Sequence, residues 1–154
     1  MKTTLSINGK DTEVELTEKQ VQQIIRASQN VTDRIKTFED ACEDQGLDPV
    51  KVLRYDKETT DAEEINENAY IMLKTIIKSL NGDWKADWSD GNQKKYYPWL
   101  KSLGSGLGLS FIDCGYILSY SFVGFLLVYR SSELAKYAGT QFIELYAEIM
   151  IIKD

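Results

Sequence analysis

Beyond residue 16 the hydrophobic period of this chain changes twice, and each change dictates a different backbone. From there to residue 81 apolar residues recur at helical spacing, as in Phe38, Ala41 and Cys42, then Ile65, Ala69, Met72, Leu73, Ile76, Ile77 and Leu80. Spacings of three and four line one face of a helix. Beyond residue 96 the period is two: Leu107, Leu109 and Phe111 alternate with Gly108, Ser110 and Ile112, and residues 122–129 form a nearly continuous apolar run suited to a central strand. After Ser131 the helical period returns in Leu134, Ala138, Phe142, Leu145 and Ile149. The order predicts an α+β fold: an N-terminal β-hairpin and helices, then a three- or four-stranded antiparallel meander closed by a C-terminal helix.

Local signals place the ends of these elements. Leu5 and Ile7 alternate with polar residues, as do Val14 and Leu16, and Asn8-Gly9 between them is a strong hairpin signal. A loop of two or four residues puts all four apolar residues on one face, which the helix opened by Thr17 and Gln20, with its stripe Val21, Ile24 and Ile25, is expected to cover. Thr37 and Asp40 stand at capping-box spacing ahead of a helix that Gly46 stops, and Asp61 and Gly82 bracket the longest one. Residues 55–61 read as a loop. Tyr96 to Leu100 is expected at a sheet edge, because Pro98 lacks the N–H of a central strand, and Ser131 or Ser132 is expected to cap a last helix running to about Ile151.

At 154 residues the chain is read as one domain over 1–154, with residues 1–30 as a ββα unit that can stand apart and 31–154 as the core. The net charge of −6 is unevenly placed: residues 1–68 hold nine Lys/Arg against sixteen Asp/Glu, and residues 69–154 hold nine against eight. Such density suits a solvated helical surface and falls short of nucleic-acid mimicry. The start of the chain is polar, and the run from Tyr116 to Tyr129 is shorter than the ~20 residues of a membrane helix, so no leader and no membrane span are expected and the location is read as cytoplasmic. Cys42 and Cys114 are expected to be reduced and packed.

The chain has no histidine. That absence removes Ser-His-Asp and Cys-His nucleophiles, His-ligated zinc and imidazole acid–base chemistry. Asp83, Asp87 and Asp90 fall at helical spacing but miss the calcium-loop pattern, because Ala86 occupies its first position. Gly104, Gly106 and Gly108 precede a strand and lack the Gly-Lys-Ser/Thr of a phosphate loop; they read as a strand face bared for a large ring, with Trp84 and Trp88 as the rings. No catalytic residue, metal or cofactor is expected.

The positive signal is aromatic. Trp84, Trp88, Tyr96, Tyr97 and Trp99 fall within sixteen positions and include every tryptophan, and from Gly91 to Arg130 the chain carries Lys94, Lys95, Lys101 and Arg130 against a single acid, Asp113. Rings beside cations suit protein interfaces, and they suit stacked bases with their phosphates. The contact surface is therefore placed on Lys94, Lys95, Tyr96, Tyr97, Trp99, Lys101 and Arg130. The competing reading, and the one the overall acidity favours, is that alternate members of Tyr96, Tyr97 and Trp99 pack inward while the lysines snorkel.

Several strings together carry a resemblance: Trp84, Asp87-Trp88, Asn92-Gln93, Lys95-Tyr96-Tyr97-Pro98-Trp99; Gly106-Leu107-Gly108-Leu109-Ser110; Arg130-Ser131-Ser132-Glu133-Leu134-Ala135-Lys136-Tyr137-Ala138-Gly139 with Gln141-Phe142; and Thr37-Phe38-Glu39-Asp40-Ala41-Cys42 with Gly46-Leu47-Asp48-Pro49. Over about residues 31–146 the chain resembles a family of small proteins of gut bacteriophages and prophages. The resemblance implies an origin and no mechanism; Phe125 to Tyr129 is more apolar here than in that family. The expected role is a non-enzymatic accessory protein that binds a protein partner or a second copy of itself as a homodimer. The alternative is a nucleotide or single-stranded nucleic-acid binder that sequesters a host defence signal, using Lys94, Lys95, Tyr96, Trp99 and Arg130.

Overall fold

The structure, a computed structural model, describes residues 2–7, 9–104, 108–119 and 127–151. Antiparallel strand pairs and runs of helices follow one another as separate blocks along the chain, so the class is mixed α+β. Two compact units are present, Met1–Arg34 and Ile35–Asp154.

In the first unit, strands β1 (Lys2–Ile7) and β2 (Lys10–Glu15) pair antiparallel with Ile7 opposite Lys10, so two residues connect them. Gly9 takes a positive φ of 77°, a conformation that other residues adopt at a cost. Helix α1 (Glu18–Ser28) opens with a complete capping box: the Thr17 N–H donates to Gln20 Oε1 at 2.9 Å and the Gln20 N–H donates to Thr17 Oγ1 at 3.3 Å. Ile24 and Ile25, expected to cover the hairpin, are 51% and 42% exposed. A short helix, α2 (Val31–Arg34), ends the unit.

The second unit is built around helix α5 (Ala62–Asn81), capped by Asp61 and ended at Gly82. Its buried stripe, Ala69, Leu73, Ile76, Ile77 and Leu80, meets Phe38, Ala41 and Cys42 of α3 (Phe38–Gln45). Polar clamps fix that packing. The Gln45 amide donates to Thr75 O at 2.8 Å and to Ser79 Oγ at 2.9 Å, while Asn68 on α5 bonds both backbone groups of Tyr55 in the loop after α4 (Pro49–Val52). Burial pushes the Cys42 thiol up, as suits an inert packed cysteine.

The sheet consists of β3 (Lys95–Ser102) and β4 (Leu109–Ile117), antiparallel, with a register shift between Trp99 and Leu100 that leaves Ile112 as an extra residue. On its other edge β3 meets the chain once more, through a reciprocal pair: Tyr96 N–H to Tyr129 O at 2.9 Å and Tyr129 N–H to Tyr96 O at 2.8 Å. Among the described residues β3 is an edge strand of its two-stranded sheet, and the Tyr96–Tyr129 bridge on that edge is isolated. Pro98, two residues on from Tyr96, presents its position to that same side without an N–H. Of the strand expected over 122–129, residues 122–126 lie outside the described residues.

The closing helix is two helices, α6 (Ser132–Gln141) and α7 (Ile143–Met150), divided at Phe142. Phe142 has φ −113° and ψ 26°, and its carbonyl accepts from Leu145 in a tighter i to i+3 turn. The break turns Tyr146 inward, where its hydroxyl meets that of fully buried Tyr129 at 2.8 Å, while Leu145 and Ile149, expected inside, are only half-buried. Helix α6 seats on the sheet through Gly139: a β-carbon there would lie 2.6 Å from Pro98 Cβ and 2.7 Å from the Phe111 ring.

Candidate functional site

Alternation along β3 sends the candidate residues to opposite sides of the sheet. Lys95, Tyr97, Trp99 and Lys101 share one face, and Tyr96, Pro98 and Leu100 share the other. The second face takes Gly139 of α6 against Pro98 and Phe111. Exposure on the first face rises along the strand, from 0% at Lys95 to 53% at Trp99.

Lys95 is thus not available to a ligand. Its ammonium donates to the Asp90 carbonyl at 3.1 Å and lies 5.3 Å from the centre of the Trp88 ring, tying the loop after α5 down onto the start of β3. That loop is not helical, so Asp83, Asp87 and Asp90 do not share a face. Asp87 Oδ1 accepts from the Ser89 hydroxyl and N–H, which holds its carboxyl below the usual range, and Asp90 Oδ1 accepts from the Asn92 N–H. Gln93 completes the tie: it accepts from the Asp87 N–H at 2.7 Å and donates to Lys85 O at 3.1 Å. Among the described residues no group of three or more Cys, Asp or Glu is placed to hold a metal ion.

Beyond Lys95 the rings of Tyr97 and Trp99 lie across Gly115 of β4. A β-carbon at Gly115 would stand 2.7 Å from Trp99 Nε1 and 3.0 Å from the Tyr97 ring. This is where a bared backbone receives large rings. Gly104 and Gly108, expected to do so for the tryptophans, have nothing within 4 Å of a built β-carbon and lie in the β3–β4 connection with φ of 105° and 84°; Gly106 is outside the described residues. Ile112 at the bulge is 57% exposed, and Lys101 is exposed two residues beyond Trp99.

On the opposite face Tyr96 and Tyr116 face each other at 5.9 Å between ring centres, and Lys94 Nζ lies 4.4 Å over the Tyr116 ring. Tyr96 directs its backbone groups to Tyr129, so this cross-strand pair is of the kind without hydrogen bonds, where side chains approach most closely. Arg130 is exposed and its N–H donates to buried Asn81 Oδ1 at 3.0 Å. Tyr96 and Trp99 stand on opposite faces and Lys95 is buried, so the five residues expected to bind a nucleotide do not converge.

Two features have no counterpart in the expectations. Asp113, opposite Trp99, forms an ion pair with Lys136 of α6 at 3.3 Å; the Cys114 N–H and then Lys136 hold its carboxyl below the usual range. Trp84 and Trp88, both half-buried, line a groove of about 410 Å³ beside the last two turns of α5, with Lys74, Lys78 and Lys85 around it. The sequence signals were Lys74 and Lys78 at i, i+4 and Lys85 between the two tryptophans.

Comparison with protein-family models, curated protein sequences and solved structures returns no match to this chain. Among the described residues no helix is long and apolar enough to cross a membrane.

Proposed function

We propose that this protein is a non-enzymatic, cytoplasmic accessory protein of a bacteriophage or prophage that works by binding protein through the Tyr97–Trp99 face of the β3–β4 sheet, first of all a second copy of itself. The observation that carries the reading is Trp99, 53% exposed yet laid against Gly115, with Tyr97 beside it and Ile112 exposed nearby. Large aromatics held in a fixed pose dominate protein interfaces, because they remove much apolar area from water at little cost in side-chain entropy. The origin rests on the resemblance of residues 31–146.

The edges of this sheet favour face-to-face contact over addition of a strand. Bulged Ile112 and charged Asp113 interrupt β4, and both devices discourage edge pairing. The charge distribution suits a second copy as well, since residues 1–68 are strongly acidic while Lys94, Lys101 and Arg130 lie on or beside the sheet.

Light scattering across a concentration series tests the reading, with Trp99→Ala and Tyr97→Ala as variants. The expected result is a dimer that both variants weaken while retaining native circular dichroism. A wild-type protein that is monomeric throughout, or variants that simply unfold, would remove its support.

A further inference from the structure

We infer that the groove between α5 and the 84–88 loop is a binding site for a mononucleotide, with the base against the tryptophans and the phosphate on the lysines. The site lies in the second unit and is built of residues distinct from the Tyr97–Trp99 face. Its floor is apolar and buried, formed by Ile77 and Val128. Trp84 and Trp88 line it, each buried in part. Three cations, Lys74, Lys78 and Lys85, surround it, and no acidic residue is among the described residues that line it.

Lys78 has a structural reason to be where it is, since a cation in the last turn of α5 complements the negative end of the helix dipole. Lys74, a turn earlier, lies 5.5 Å from the centre of the Tyr70 ring, and Lys85 stands beyond the helix end, where the dipole reason does not reach. Rings and cations together fit a ligand with a flat π-face and an anionic group. The groove's volume of about 410 Å³ falls in the range of small-molecule sites, about 300–1,000 Å³, and holds one base, one sugar and one phosphate better than a polymer. The net charge of −6 points the same way, because it repels a long polyanion at range while costing a singly phosphorylated ligand little.

The frame of the site is preorganised. The Asn81 amide donates to Val128 O at 2.8 Å, fixing the floor against the helix, and the Gln93 and Lys95 contacts hold the tryptophan loop. A nucleotide would therefore enter without ordering the loop first.

The experiment is calorimetric titration of the full chain with AMP, adenosine and ribose 5-phosphate, repeated at high salt, with GMP, CMP and UMP as further probes. The expected result is saturable binding of at least one of the four nucleotides at one per chain, weakened by salt. Removing the phosphate or the base should each weaken it at least about tenfold, as loss of one stacked ring or one paired charge does. The double variant Lys78→Gln/Lys85→Gln should lose about tenfold while still unfolding cooperatively in urea, at a midpoint lowered only by the loss of the Lys78 dipole contact, and Trp99→Ala should bind as the wild type does. Binding lost in Trp99→Ala but kept in the lysine variant would overturn the assignment to this groove. So would equal binding of ribose 5-phosphate and AMP, no binding of any nucleotide, or capture of an oligonucleotide without capture of the monomers.

Discussion

The indole of Trp99 lies so close over Gly115 that a β-carbon built there would be 2.7 Å from Nε1, and the same glycine receives the Tyr97 ring at 3.0 Å. A methyl at this position must move the rings, and Trp99, half exposed, is free to swing outward. Gly115→Ala is therefore expected to change unfolding free energy by less than about 1 kcal/mol while weakening self-association about tenfold. Urea unfolding and sedimentation of the same preparation check both halves; a stable variant that associates normally would show that the pose of Trp99 is irrelevant.

Gly139 presents the opposite case. Its built β-carbon meets Pro98 Cβ at 2.6 Å and the Phe111 ring at 2.7 Å, both in the seat of α6 on the sheet, and the Pro98 ring is fixed to the strand backbone. The gain in helix propensity from alanine, up to about 1 kcal/mol, is outweighed by overpacking. Gly139→Ala is expected to cost about 1–3 kcal/mol in urea unfolding. A stabilised variant would mean that α6 does not seat there.

Buried Lys95 is expected to behave as a structural cation. Lys95→Met keeps the stem and removes the charge from the Asp90 carbonyl and the Trp88 ring, at a cost of about 1–3 kcal/mol. Because Trp88 loses its ammonium neighbour, tryptophan emission should shift as well. An unchanged spectrum at unchanged stability would contradict the tie.

The phenols of Tyr129 and Tyr146 are both pushed up from their ordinary value of 10.0, chiefly by burial. They keep their protons in the fold at pH values where the unfolded chain loses them, so their contribution is complete below pH 10 and declines as pH rises beyond it. Thermal melts from neutral to strongly alkaline pH should show that decline. Tyr146→Phe alone leaves the Tyr129 hydroxyl without its 2.8 Å partner and is expected to cost about 1–3 kcal/mol at neutral pH. The double Phe variant should cost less than the two single changes together and lose most of the alkaline decline; additive costs would contradict the pairing.

The parts of this fold legible in the sequence are those decided within a few residues. Thr37 with Asp40, Gly46, Asp61 and Gly82 stop and start helices by hydrogen bonds and backbone freedom that need no tertiary partner. What escaped depends on distant pairing. Gly115 became the seat of the rings only through the register that sets it opposite Tyr97, and nothing in its neighbours distinguishes it from Gly104 or Gly108. The division at Phe142 is of the same kind, since the apolar spacing runs straight through it while Tyr146 is drawn inward by Tyr129. For the candidate site, the rings were visible as a cluster, but its division into a sheet face and a groove was not. Lys95 looks like its neighbours in sequence and differs from them only because the loop from Asp90 returns over it.

Association through Trp99 is checked by light scattering of the wild type and Trp99→Ala side by side over a wide concentration range. The expected mass is twice the 17.6 kDa of the chain for the wild type, and that of a single chain for a variant that melts at the same temperature. A wild type that stays at the single chain mass throughout, or a variant that dimerises as tightly as the wild type, would contradict it.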